Sequence, residues 1–341
     1  MPCTRAASSI WPSNSVPDTY TNGVRPSLAR SYHRADSDAV RIGPGVRRSL
    51  NFAVSPQSRP DCNRCSGHKP LSFLLFTALA LVFVACLLAR PWLLERRRHR
   101  LRSQPFPAHW RPLLMQLPLV RRLPADLQLQ LKAHMQVFLA EKPMLGCAGL
   151  QLTDAMRIPI AAQACLLLLN RQTDYYPNLR QILVYPGPFV VDRQQPVGSG
   201  VMQELRQVLS GESWSQGQVV LSWQDVQVDS ADGNDGRNVV IHEFAHQLDQ
   251  ESGQANGAPM LRSRSAYRNW SQVFGQAFAQ LQLRVAAGQG GLLSDYGATN
   301  PGEFFAVASE VFFEQSQQLA DEQPDLFAQL REFYAVDPLS W

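Results

Sequence analysis

Across residues 1 to 68 the apolar side chains fall at no regular interval among Ser, Pro, Arg, Asn and Gly, and no helical or strand period lasts for a full element. This stretch is expected to be disordered, or to be an over-extended start of translation. From Leu71 to Ala89 the pattern inverts: LSFLLFTALALVFVACLLA is 19 residues without a charge, and only Ser72 and Thr77 are mildly polar. As a helix it would extend about 28 Å, close to the roughly 30 Å hydrocarbon core of a bilayer. One transmembrane helix over 71–89 is therefore expected, with a buried helix of a soluble domain as the alternative. A cleavable signal peptide fits less well, because the run exceeds the usual apolar region of about 7–15 residues and ends in no small-x-small site.

Residues 90–104 carry six arginines and read as a basic juxtamembrane linker. Beyond a proline-punctuated entry, ADLQLQLKAHMQVFLAEK sets Leu127, Leu131, Met135 and Leu139 at helical spacing, which predicts a helix over 125–142. The Ala-rich residues 155–170 predict a core helix, and 267–287 and 303–313 two more. Gln181 to Tyr185 and Gln218 to Trp223 are short, β-branched or aromatic, and bounded by Pro, Gly or Asp, so both are expected as strands. The fold class is α+β: a mainly helical domain over 105–341 with a small sheet, and no internal repeat.

Composition changes this picture in one respect. The chain is 45% hydrophobic, enough for a sizeable core, and its net charge of +4 hides a division. Residues 1–102 hold 16 Lys/Arg and 5 Asp/Glu, while residues 103–341 hold 16 and 23. An acidic body argues against a domain held on nucleic acid by phosphate contacts, so no direct nucleic-acid partner is expected. The arginines crowd the C-terminal flank of the apolar run, and the positive-inside rule then puts the C-terminal domain in the cytoplasm, on a single-pass protein of the inner membrane. If the N-terminal segment is mis-assigned, the alternative is a plain cytoplasmic protein. The same arginines can rest on anionic headgroups.

Cysteine usage adds little chemistry. Cys147 and Cys165 sit in apolar surroundings and read as small buried hydrophobes. Cys62 and Cys65, followed by His68, have the spacing of half a zinc site without a second half, and no function is assigned to them.

The candidate chemistry begins after Asn238, in VVIHEFAHQLD. His242 and His246 are four apart, so on a helix both imidazoles project from one face, one turn apart, where a single metal ion can take both. Glu243 lies beside the first of them, about 100° round the helix, able to reach a metal-bound water without binding the metal. This is the HExxH arrangement of zinc hydrolases; zinc tolerates an open coordination position and lowers the pKa of its water to about 7. The competing reading is an ordinary amphipathic helix that happens to carry two histidines. Val239, Val240, Ile241, Phe244, Ala245 and Leu248 bury most of this helix, however, and imidazoles and a carboxylate there need a partner. Asp249 reads either as a carboxylate supporting a ligand imidazole or as a surface or capping aspartate.

A catalytic zinc takes a third protein ligand, and the best candidate is Glu303. Asn300 is a good N-cap and Pro301 suits the first helical position, so Glu303 can instead be a capping-box glutamate bonding back to Asn300. The apolar residues 304–308 that follow bring its carboxylate near the core. Glu310, two turns on, reads as a support for the site or as an ion-pair residue.

Taken with Leu152-Thr-Asp-Ala-Met156, Ile160 to Cys165, Val184-Tyr-Pro186, Gly211-Glu-Ser-Trp214 and Leu221-Ser-Trp223, the HEFAHQLD stretch and Tyr296 through Glu303 resemble the Mlc titration factor A family of zinc metallopeptidases. The resemblance covers about residues 105 to 341. It implies a zincin-like peptidase domain whose zinc site is similar to that of the anthrax lethal factor catalytic domain. It further implies Zn²⁺ held by His242, His246 and Glu303, Glu243 as general base, and Tyr296 as a phenol facing a peptide or protein substrate. In the implied reaction zinc and Tyr296 stabilise the oxyanion, and strand 218–223, taken as a sheet edge, holds the extended substrate by main-chain pairing. Members of the family also bind and sequester a transcriptional repressor of sugar uptake, so a regulatory binding protein is the second implied role.

Overall fold

The computed structural model describes residues 69–197, 201–209, 211–214, 217–253 and 255–341. Residues 1–68, with the Cys62–Cys65 pair, lie outside the described residues. The first described element, α1 (Lys69–Arg102), is a single helix of 34 residues that runs through Pro91, so the segment expected to be a linker is helical to Arg102. Its apolar part is uncovered: Phe73, Phe76, Leu79 and Leu88 are each at least 67% exposed. This helix is long and apolar enough to cross a membrane. Its last turns behave differently. Arg98 forms a two-pronged pair with Glu141 (2.9 and 2.8 Å) and a further bond to Asp174 (2.5 Å). Those bonds seat the end of α1 on the rest of the fold.

Two short helices follow, α2 (Arg111–Leu114) and α3 (Pro118–Arg122), then α4 (Ala125–Glu141). Leu127, Leu131 and Met135 of α4 are buried, as their spacing predicts, and Leu139 packs against the core at partial burial. Strand β1 (Met144–Gly146) leads to α5 (Asp154–Leu166). Strand β2 (Gln181–Tyr185) precedes a long antiparallel ribbon of β3 (Phe189–Val197) and β4 (Val201–Leu209), then β5 (Gly211–Trp214) and β6 (Gln218–Ser222).

The main sheet has four strands in the order β1-β2-β6-β5. The first three are parallel and β5 runs antiparallel to β6. One expectation is thereby corrected: Gln218 to Ser222 is an interior strand, bonded to β2 on one side and β5 on the other, and Trp223 already belongs to the next helix. The reason is the Gly211–Trp214 segment, too short to display an alternation, which closes that edge. Burial agrees, since Val219, Val220 and Leu221 are all at most 4% exposed, as in a strand covered on both faces.

Helix α6 (Trp223–Ala231) is capped by Ser222, whose hydroxyl accepts from the Asp225 amide. Then come α7 (Val239–Asp249), α8 (Arg264–Ala286), α9 (Pro301–Glu314), α10 (Ser316–Glu322) and α11 (Pro324–Tyr334). Helix α7 lies in the middle of the molecule, against α5, α9, β5 and β6. Phe244 anchors it in an aromatic cluster with Phe138 and Tyr176 at centroid distances of 5.7 and 4.8 Å. A fully buried phenylalanine contributes about 1.5–3 kcal/mol, so the polar face of α7 is held by its apolar one.

Candidate metal centre

Helix α7 begins where Asn238 accepts a bond from the Ile241 amide through its side-chain oxygen. That cap fixes the rotation of the first turn and sends His242 and His246 toward α9. Helix α9 starts in the same way: Asn300 Oδ1 accepts from the Glu303 amide at 3.0 Å, and Pro301 occupies the first turn. The Glu303 side chain does not return to Asn300 to complete a capping box. It turns to the histidines, with Oε2 at 3.0 Å from His242 Nε2 and 3.2 Å from His246 Nε2, while the two imidazole nitrogens are 3.2 Å apart.

These three atoms form a triangle whose edges match what a tetrahedral ion with ligand bonds of about 2.0–2.1 Å requires, roughly 3.3 Å. Two facing imidazole nitrogens and a carboxylate oxygen are also a donor set that zinc accepts. The electrostatics point the same way. Burial disfavours a charged His242, yet Glu310 and Glu303 outweigh it and raise its pKa well above the usual imidazole range. Burial likewise opposes ionised Glu303, but the two imidazoles hold its carboxyl well below the usual range. The cluster therefore calls for positive charge at its centre, which protons or a divalent cation can provide.

Around this triangle, Glu310 Oε1 lies 2.7 Å from His242 Nδ1. Glu310 is thus an ion-pair partner of His242, placed on the ring nitrogen that faces away from Glu303 and His246. Asp249 is fully buried, so the surface reading fails, and its Oδ2 accepts from the Gly257 amide at 2.7 Å. Gly257 (φ +74°) sits where a side chain would meet the Pro301 carbonyl. Asp249 thus pins a loop against the start of the helix that carries Glu303. Glu243 is 4% exposed on α7, and Tyr296 is 47% exposed with its ring 5.9 Å from that of His242.

A polar network behind α7 joins residues that the sequence did not bring together. Asn238 Nδ2 donates to Gln163 Oε1 of α5 (2.5 Å) and Glu314 Oε1 of α9 (2.9 Å), and the Asn238 amide donates to Glu310 Oε2 at 2.6 Å. Nothing local pointed to Gln163 or Glu314.

Residues 92–335 match the family described as Glucose-regulated metallo-peptidase M90. The chain is 39% identical to an uncharacterized protein of Synechocystis sp., over 78% of this chain and 99% of that protein. It is 35% identical to Mlc titration factor A of Pectobacterium atrosepticum, over 68% of this chain and 87% of the relative. With Mlc titration factor A of Klebsiella pneumoniae subsp. pneumoniae the identity is 34%, over 66% and 84%.

Proposed function

The chain belongs to the glucose-regulated metallo-peptidase M90 family, and from that premise we propose that it hydrolyses peptide bonds with Zn²⁺ held by His242, His246 and Glu303. The observation that carries this reading is the convergence of two imidazole nitrogens and one carboxylate oxygen within 3.0–3.2 Å of each other. A zinc ion in such a site supplies a Lewis acid and brings the pKa of a bound water to about 7. Glu243 takes the proton of the attacking water and hands it to the leaving amine. The Tyr296 hydroxyl donates to the carbonyl oxygen as negative charge develops there. Glu310 fixes the tautomer of His242, keeping Nε2 free for the metal.

Zinc content and digestion of a peptide library by the full-length protein test this directly. His246→Ala is expected to lose both; full zinc occupancy in that variant would sink the ligand set. A second reading rests on the relatives named Mlc titration factor A: this chain also binds a repressor of the Mlc kind, and catalysis is secondary. Binding that persists in a variant without hydrolysis would separate the two roles.

We also propose the arrangement in the membrane: 71–89 as one span and the domain from 105 in the cytoplasm. The support is the exposed apolar part of α1 and the arginines that follow it.

A further inference from the structure

Helices α7 and α9 run antiparallel past each other, and polar ties hold them at both ends of the metal centre. At the start of α7, Asn238 bonds Glu310 through its amide and Glu314 through its side chain. At the other end the tie is indirect. Asp249, three residues after His246, accepts from the Gly257 amide at 2.7 Å, and the Gly257 carbonyl accepts from Trp270 Nε1 at 2.8 Å. Asp249 and Trp270 are both buried. Gly257 is thus held through its amide by α7 and through its carbonyl by α8.

Its third side lies against α9. A Cβ on Gly257 would stand 2.3 Å from the Pro301 carbonyl oxygen and 2.7 Å from the carbonyl carbon, and the φ of +74° is one that glycine adopts freely. With Gly257 tied to α7 and α8, a methyl group there would push on the start of α9. Pro301 is the first residue of that helix and Glu303 the third, within the same turn. A helical turn moves as a unit, so what fixes Pro301 fixes Glu303. Metal ligands are placed to within about 0.2 Å, and a contact this close acts on that scale. A turn needed only to join α7 to α8 could run over the surface; burying a carboxylate to hold it is costly even with a hydrogen bond.

We propose that Asp249, acting through Gly257, is a positioning residue that sets Glu303 against the two histidines, an inference that rests on the zinc site proposed above. His242 and His246 share one helix with Asp249, so loosening the loop leaves their spacing intact and displaces the third ligand alone.

The test measures zinc affinity of the full-length protein in detergent by competition with a chelator, and coordination by the visible absorption of Co²⁺ bound in place of zinc. Asp249→Ala and Gly257→Ala should each weaken zinc binding at least tenfold, the usual scale for a residue that orients a metal ligand. Each should also turn the Co²⁺ spectrum toward that of Glu303→Ala. Added to Glu303→Ala, either substitution should cost no further affinity, because a residue acting through Glu303 has nothing left to position. Gly288→Ala imposes a comparable backbone strain at φ +66° in open space and should bind zinc as the unaltered protein does. A loss that persists undiminished alongside Glu303→Ala would make Asp249 a support of the fold at large and overturn the proposal. Unchanged affinity in both single variants, or an equal loss in Gly288→Ala, would overturn it too. If Glu303→Ala alone leaves zinc affinity unchanged, the ligand assignment itself fails and the proposal falls with it. Should Asp249→Ala fail to fold, Gly257→Ala carries the same comparison.

Discussion

His242 Nδ1 faces Glu310 Oε1 at 2.7 Å, and the other oxygen of that carboxylate accepts from the Asn238 amide at 2.6 Å. One side chain of α9 thus binds both the first turn of α7 and the imidazole that the turn presents. Glu310→Gln keeps the size of the side chain but removes the charge and one of the two acceptors, so an NH₂ group meets either the imidazole or the Asn238 amide. Zinc affinity is expected to fall by about 10–100-fold, the usual scale for a residue that orients a metal-binding histidine. Titration against a competing chelator measures it, and unchanged affinity would show that Glu310 serves the helix cap alone.

Glu243 is the residue whose replacement distinguishes catalysis from binding. Glu243→Gln should retain zinc and the fold, because Glu243 lies outside the converging triangle, while peptide hydrolysis drops by about 10² or more. Full activity in this variant contradicts its role as general base.

Asp229 gives a pH signature away from the metal ligands. Burial pushes its carboxyl up to about 7, against the lowering effect of the Val239 amide that donates to Oδ2 at 2.8 Å. The folded pKa lies above the unfolded value, so the stability it contributes is full below about pH 4 and is lost as pH rises through 7. Asp229→Asn preserves the acceptor and abolishes the titration. It should stabilise the protein at pH 8, by on the order of 1–2 kcal/mol once solvent screening is allowed for, and leave it unaffected at pH 4. Thermal unfolding at both pH values checks this; equal shifts at both exclude titration as the cause.

Much of this architecture is legible in local patterns. Helix α4 follows from Leu127, Leu131 and Met135, and the start of α9 from Asn300 and Pro301. The His242/His246 pair is legible because one helix sets the spacing. What escapes a local reading depends on distant partners. The four residues of β5 acquire their meaning only by pairing with β6, and the β3–β4 ribbon carries Asp192, Arg193 and Pro196 where a regular alternation would otherwise mark a strand. Asp249 looks like a helix-end carboxylate until Gly257, eight residues on, folds back to it. Gln163 and Glu314 come to Asn238 from 75 and 76 residues away, and no spacing rule reaches that far.

The exposed apolar part of α1 leads to the last prediction. Phe73 to Leu94 presents large hydrophobic side chains to its surroundings, far more than a soluble surface tolerates. Thr77, the polar member well inside the run, turns its hydroxyl back to the Phe73 and Leu74 carbonyls, which removes its need for water. A bilayer is the environment that suits such a helix, and the proposed orientation puts Arg90, Arg96, Arg97 and Arg100 on the cytoplasmic side. Alkaline carbonate washing should leave the full-length chain in the membrane fraction, and protease added from outside should leave the domain bearing His242 intact. Arg98 joins α1 to Glu141 about 14 Å beyond Ala89 along the helix, so with 71–89 as the span the domain would start close under the headgroups. Arg98→Ala should therefore keep the protein in the membrane while making the junction near residue 100 easier to cut with trypsin. Release of intact protein by carbonate would rule out the span, and digestion of the domain from outside would reverse its orientation.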